Sequence, residues 1–396
     1  MKHPEKTYQP GRHFLQIPGP TNVPDRILRA MDRPTIDHRG PDFPPLAFAC
    51  FDGLKAVFQM KRGHVFLYPG SGTGAWEAGI ANTLSPGDRV LMFETGHFAT
   101  LWRNLAVRFG LKVDFMPGDW RHGIDPALVQ ERLARDSAHE FKAVLCVHNE
   151  TSTGVTSRIG EVRQVMDAVQ HPALLMVDAV SSLGSIDYRH EEWQVDVTVA
   201  GSQKGLMLPP GLGLVAASEK ALAASSHAAL PRGFWAWDDV LEANRTGYFP
   251  YTPATNLMFG LQEAIAMLVQ EEGLDRVFKR HERHGEATRA AVDAWGLQLV
   301  CADPREYSPS CTAILMPDGY DEAHFRSFVL ENYNLSLGAG LSKLKGKAFR
   351  IGHLGDLNDL TLCGTLCGVE MGLAGFGVPS KSGGVDAAMA VLRQKA

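Results

Sequence analysis

Between residues 65 and 218 the chain alternates short β-branched runs with segments of helical length, and this alternation restricts the fold more than any other feature. The runs cover residues 65–68, 89–93, 112–115, 143–147, 174–178, 195–199 and 212–216. Amphipathic helical spacing marks residues 74–84, 98–109, 126–135 and 159–169 between them. Strands joined by crossover helices pair in parallel, and a parallel sheet needs cover on both faces. The expectation is therefore an α/β fold built on a mostly parallel seven-stranded sheet.

After residue 218 the pattern changes. A stretch rich in Trp, Tyr and Pro (232–253) leads into a long helical reading over 256–295, with Gly260, Gly273 and Gly285 as candidate breaks. Short strands and helices follow, then a glycine-rich tail that reads as loose. The division falls near residue 265, with a large cofactor-binding domain over 1–265 and a smaller α+β domain over 266–396.

Composition removes several classes of function. A hydrophobic fraction of 45% in 396 residues is too high for disorder, and a net charge of −5 offers no field for nucleic acid or an anionic membrane. No apolar run approaches the roughly 20 residues that span a bilayer. Residues 1–10 are polar and lack the apolar centre of a secretory signal. The six cysteines contain no Cys-x-x-Cys pair and read as reduced core thiols, Cys363 and Cys367 among them in an apolar helix. A soluble, cytoplasmic enzyme is the expectation. No metal site is expected: His281 and His284 sit on a polar helix and read as surface residues. Ser181 and Ser182 lack the glycine elbow of a serine nucleophile.

Three features carry chemistry. Gly70-Ser-Gly-Thr-Gly-Ala-Trp-Glu77 follows a strand and opens a helix, where backbone amides and the helix dipole suit a phosphate. With Glu94 about 20 residues later it also fits a loose dinucleotide pattern. Asp178 ends an apolar strand, at the sheet edge where α/β proteins bind ligands. Lys204, in Gly201-Ser-Gln-Lys-Gly205, follows another strand at the same edge. A phosphate cradle, a strand-end acid and a strand-end lysine together are what pyridoxal phosphate needs, whereas a dinucleotide has no use for the Asp–Lys pair.

The chain also resembles the class V aminotransferases of fold type I, and among them the serine–glyoxylate and alanine–glyoxylate enzymes. The likeness runs from Ile17-Pro-Gly-Pro-Thr-Asn22 to Gly355 and includes Asn82-Thr-Leu-Ser-Pro-Gly-Asp88, His148-Asn-Glu-Thr-Ser-Thr-Gly154, Pro250-Tyr-Thr-Pro253 and Phe349-Arg-Ile-Gly-His-Leu-Gly355. It implies that Lys204 forms the Schiff base and Asp178 partners the pyridinium nitrogen. By the same resemblance Ser71, Gly72, Thr73, Gly74 and Gln203 surround the phosphate, Phe98 and Val180 pack on the ring, and Thr151 meets its phenolic oxygen. Arg350 would clamp the substrate carboxylate, a task suited to a guanidinium fork. Gly19 would line a pocket small enough for glyoxylate.

The resemblance further implies a homodimer with shared sites, in which Tyr251 and Thr252 reach the neighbouring subunit's phosphate. Phe249 departs from the hydroxyl-bearing aromatic usual there, and Tyr248 is the substitute at hand. Gly40 and Ala179 are smaller departures. His38 and Arg39 are expected near the active-site mouth. The implied reaction transfers an amino group from an L-amino acid, serine first and aspartate second, to glyoxylate. Rival readings are a cysteine desulfurase or lyase of the same fold, for which Cys301 and Cys311 are poorly placed nucleophiles, and a dinucleotide oxidoreductase.

Overall fold

The protein is described over residues 10–394 in a computed structural model. The signal-peptide reading therefore lies almost wholly outside the described residues. All seven expected strands form one sheet: β1 (His64–Gly70), β2 (Arg89–Phe93), β3 (Lys112–Met116), β4 (Phe141–Val147), β5 (Leu174–Asp178), β6 (Val197–Gly201) and β7 (Gly211–Ala217). Their order across the sheet is β1-β7-β6-β5-β4-β2-β3, and only β7 runs antiparallel to its neighbours.

Side chains alternate across this sheet, and both faces are dry. Val65 and Leu67 enter one core while Phe66 and Tyr68 enter the other; Leu175 and Val177 oppose Leu174 and Met176 in the same way. A core on each face explains why these strands read as continuous apolar runs. The covering helices include α1 (Gly72–Thr83), α2 (His97–Arg108), α3 (Pro126–Ala134) and α4 (Ile159–Ala168).

The long helical reading divides. Helix α5 (Thr255–Ile265) passes into a π-helical stretch, Ala266–Glu272, and the path breaks at Gly273, whose φ of 81° suits glycine. Helix α6 (Leu274–Trp295) follows. Gly260 and Gly285 do not break helices; a β-carbon at Gly260 would press on Met31 at 2.7 Å, so this glycine is a packing residue.

Helix α6 spans two cores: Val277 and Phe278 join the core of the large sheet, whereas Ala291 and Trp295 join a third cluster. That cluster packs on the small sheet of β8 (Gln298–Leu299), β9 (Cys311–Leu315) and β10 (Ala348–Gly352). The segment Phe14–Gln16 pairs in parallel with Leu335–Leu337, tying the start of the described chain to this C-terminal part.

Three surface expectations are corrected. His281 and His284 are fully buried: His281 Nδ1 bonds the Val277 carbonyl while Gly355 N–H donates to its Nε2, and His284 Nε2 meets Asp359 at 3.0 Å. Burial lowers both imidazole pKa values, so they are neutral structural groups. The C-terminal tail is not loose; it forms helices α7 (Asp359–Phe376) and α8 (Gly384–Leu392), and Gly384 lets α8 approach the Trp295 indole. Cys50, Cys146, Cys301 and Cys311 are buried and free as expected, but Cys363 is half-buried and Cys367 exposed, because α7 turns that face outward.

Candidate active site

A cleft of about 150 Å³ opens at the carboxyl edge of β4, β5 and β6, beside the start of α1. One end of it comes directly from the glycine run. Strand β1 ends at Gly70, and Ser71 caps α1 by accepting from Gly74 N–H at 3.4 Å. A β-carbon on Gly72 would lie 2.7 Å from Val180, and one on Gly74 would lie 2.7 Å from the Trp235 ring. Only glycine lets the backbone run this close, leaving the first amides of α1 toward the cleft that Ser71, Gly72, Thr73 and Gln203 line.

Asp178 is the last residue of β5 and is 4% exposed. Its Oδ1 accepts from Val180 N–H at 2.7 Å and its Oδ2 from Trp76 Nε1–H at 2.9 Å. Burial pushes this carboxyl up to about 7; the two hydrogen bonds oppose that rise, Glu150 adds to it, and the Lys204 charge works weakly against it. Asp178 is thus a buried acid with no ion-pair partner among the described residues.

Lys204 stands on the loop after β6, and its Nζ donates to the Pro18 carbonyl. The N-terminal segment holds this loop, since Thr21 N–H bonds the Gln203 carbonyl and Thr21 Oγ the Lys204 carbonyl. Burial first, and the Arg350 charge second, bring the Lys204 ammonium down to about 8. Gly19, with φ of 89°, lies against the lysine instead of merely lining a pocket; a β-carbon there would fall 2.5 Å from Nζ.

Arg350, on β10, is 7% exposed. Its Nε donates to the Ala339 carbonyl at 2.8 Å and its Nη1 to the Thr151 carbonyl at 2.9 Å. Both partners are neutral, and burial lowers the guanidinium pKa. A buried carboxylate and a buried guanidinium, each lacking an ion-pair partner among the described residues, therefore flank one lysine. A pyridinium nitrogen would complete the first and a substrate carboxylate the second.

Phe98, Thr151 and Val180 also line the cleft. Phe98 is fixed through its backbone, whose N–H donates to Glu150 Oε2 at 3.1 Å. Three expected residues are not brought to the cleft within one chain. Arg39 is exposed, with its N–H on Asp37; Thr252 is exposed; and the Tyr251 hydroxyl bonds the Leu67 carbonyl at 2.9 Å. Phe249 is buried in the large core, and Tyr248 Oη donates to the Gly40 carbonyl, at 3.5 Å.

Sequence reasoning missed Trp76 and Glu150 as parts of the site. Trp76 sits in the glycine motif itself, one turn past Gly72, and that helical offset was the available signal. Glu150 accepts from the N–H groups of Phe98, Ala99 and Ser152 and from the Ser152 hydroxyl, a role visible only in three dimensions.

The rival chemistries lose their residues. Glu94, the acid of the dinucleotide pattern, is committed to Trp120 Nε1 and Lys343. Cys301 and Cys311 are buried thiols pushed up to about 12 and about 11, the opposite of an activated nucleophile.

The profile of the family described as aminotransferase class-V matches residues 58–345. The chain belongs to that family. Pyridoxal 5′-phosphate is its cofactor and transamination its chemistry. The chain is 50% identical to the serine–glyoxylate aminotransferase of Methylorubrum extorquens, with 98% of each chain covered. It is 46% identical to the L-aspartate–glyoxylate aminotransferase of Paracoccus denitrificans, covering 96% of each. Among solved structures, pyridoxamine–pyruvate aminotransferase from Mesorhizobium loti superposes with a TM-score of 0.91 at 28% identity, covering 100% of both chains. No helix of the described residues is long and apolar enough to cross a membrane.

Proposed function

We propose that this aminotransferase moves the amino group of an L-amino acid, serine first and aspartate second, to glyoxylate, giving glycine and a 2-oxo acid. The observation that carries the chemistry is Lys204 beside Asp178 and Arg350, neither of which has an ion-pair partner among the described residues. The acceptor and the donors are carried by the near full-length likeness to glyoxylate aminotransferases, and the order of donors by 50% identity to a serine enzyme against 46% to an aspartate enzyme.

Pyridoxal phosphate, when bound, supplies a carbonyl that accepts the amino group and a ring that withdraws electrons from Cα. The protein's part follows from its own atoms. The α1 amides and Gln203 hold the phosphate, and Asp178 keeps a proton on the ring nitrogen. Arg350 grips the donor carboxylate with its uncommitted Nη2 and so fixes which Cα bond faces the lysine. Nζ of Lys204, brought down to about 8, is neutral in about a tenth of molecules at pH 7 and about half at pH 8, and as general base and acid it would take the proton from Cα and deliver it to the cofactor carbon that carries the amino group.

The same reading makes the enzyme a cytoplasmic homodimer divided near residue 265. Exposed Thr252 lies beside an aromatic patch in which Phe234, 47% exposed, packs on Tyr251 with centroids 4.7 Å apart. This surface supports a subunit contact that brings 251–252 to the neighbouring phosphate. The six free cysteines fit a reducing compartment. Incubating the purified enzyme with glyoxylate and each of serine, aspartate and alanine, and measuring glycine formed, tests the reaction. Serine should give the highest kcat/KM, and no glycine from any donor would end the assignment.

A further inference from the structure

The phosphate helix also aims the acid at the far end of the cleft. Trp76 lies three and four residues after Thr73 and Gly72, so all three share one face of α1. The indole is 4% exposed and stacks on Trp102, with centroids 5.9 Å apart and planes 13° apart. In this packing the Nε1–H donates to Asp178 Oδ2 at 2.9 Å. The only other donor to this carboxylate among the described residues is the Val180 backbone, on Oδ1.

We propose that Trp76 is a positioning residue, fixing the plane of the Asp178 carboxylate so that one helix sets both the phosphate end and the ring-nitrogen end of the cofactor. The terminal torsion of an aspartate is soft, and one backbone donor pins only one oxygen. A second donor on Oδ2 fixes the plane and leaves lone pairs for the ring N–H. A hydrogen bond to the ionised form also favours that form. The charged and titratable groups acting on this carboxylate are Glu150, which disfavours its charge, and Lys204, which favours it; Tyr188 is close enough to feel its charge in return. Neither neighbour replaces the lost indole N–H.

This inference rests on Asp178 being the ring-nitrogen partner, and the test separates the two. Equilibrium dialysis measures pyridoxal phosphate affinity from pH 6 to 8.5 for the wild type, Trp76→Phe, Asp178→Asn and the double variant. A further protein carries 3-benzothienyl-alanine at position 76, which keeps the indole's shape without its N–H, so that a misfolded Phe variant does not leave the question open. Both position-76 changes should weaken binding about tenfold, the worth of a hydrogen bond to a charged group, with the loss growing as pH falls. In the Asp178→Asn background the same change should cost less than about twofold. Wild-type affinity and pH profile for the benzothienyl protein, or an equal loss added to Asp178→Asn, would overturn the role of Trp76. Unchanged affinity in Asp178→Asn alone would instead remove Asp178 from the cofactor.

Discussion

Gly19 and Lys204 compete for one volume: a β-carbon on Gly19 would stand 2.5 Å from the lysine Nζ and 2.7 Å from its Cε. The neighbouring Pro18 carbonyl receives the Nζ hydrogen bond, so the N-terminal segment both makes room for the lysine and aims it.

Gly19→Ala should therefore injure the lysine before it injures the substrate. Its positive φ adds backbone strain to the collision. The rate at which apoenzyme gains its visible cofactor absorbance should drop by about tenfold or more, the equivalent of the roughly 1–3 kcal/mol such strain costs. Wild-type reconstitution with only a raised glyoxylate KM would return Gly19 to a simple pocket wall.

Asp178 makes the apoenzyme's stability depend on pH. Its folded-state pKa, about 7, lies above the ordinary carboxylate value of 3.8. The folded apoprotein thus binds the proton more tightly than the unfolded chain does. The stabilisation is complete below about pH 4 and disappears as pH rises through 7. Asp178→Asn cannot ionise, so its apo form should melt about 3 °C or more above wild-type apoenzyme at pH 8. The two curves should converge below about pH 4. With cofactor bound the order should reverse, because the pair with the ring nitrogen then stabilises wild type. Calorimetry of both forms at both pH values checks the sign, and equal apo melting temperatures at pH 8 would contradict it.

Arg350→Lys should lower kcat/KM for every amino donor by about 100-fold, since a point charge replaces a fork whose other N–H groups hold Ala339 and Thr151. Cofactor affinity should change by less than about twofold. A comparable loss of cofactor would place Arg350 in cofactor binding instead.

Arg39 is outside the cleft of its own chain, so any part it has in reading the donor is played across the proposed dimer. Arg39→Ala should then reduce efficiency with aspartate by roughly 100-fold while serine changes little. Steady-state kinetics with both donors decides the matter. An equal loss for both would assign Arg39 to the fold or the cofactor.

The seven strands were legible because burial on both faces writes them as unbroken apolar runs. Their ends were less so. Residues 195–196 read as strand, yet Asp196 turns its carboxylate to Leu175 N–H and Ser218 before β6 begins at Val197. The position of Lys204 and Asp178 at the cleft was readable because strand ends mark the ligand edge of such sheets. Arg350 was reachable only through the resemblance, since its bond to Thr151 joins residues 199 positions apart. Trp76 and Glu150 lie within the motifs at 72–77 and 148–154, but their hydrogen bonds depend on which elements the fold closes together. His281 and His284 misled for a related reason: α6 carries a polar sequence yet is wedged between the two parts of the chain.

Lys204, flanked by an acid and a guanidinium that have no ion-pair partner among the described residues, is expected to be the residue that bonds the cofactor. Borohydride reduction of the holoenzyme followed by peptide mass mapping tests it most directly. The prediction is a single pyridoxyl-phosphate adduct on the peptide containing Lys204, with none in Lys204→Ala. Stoichiometric labelling of another lysine in wild-type enzyme would contradict it.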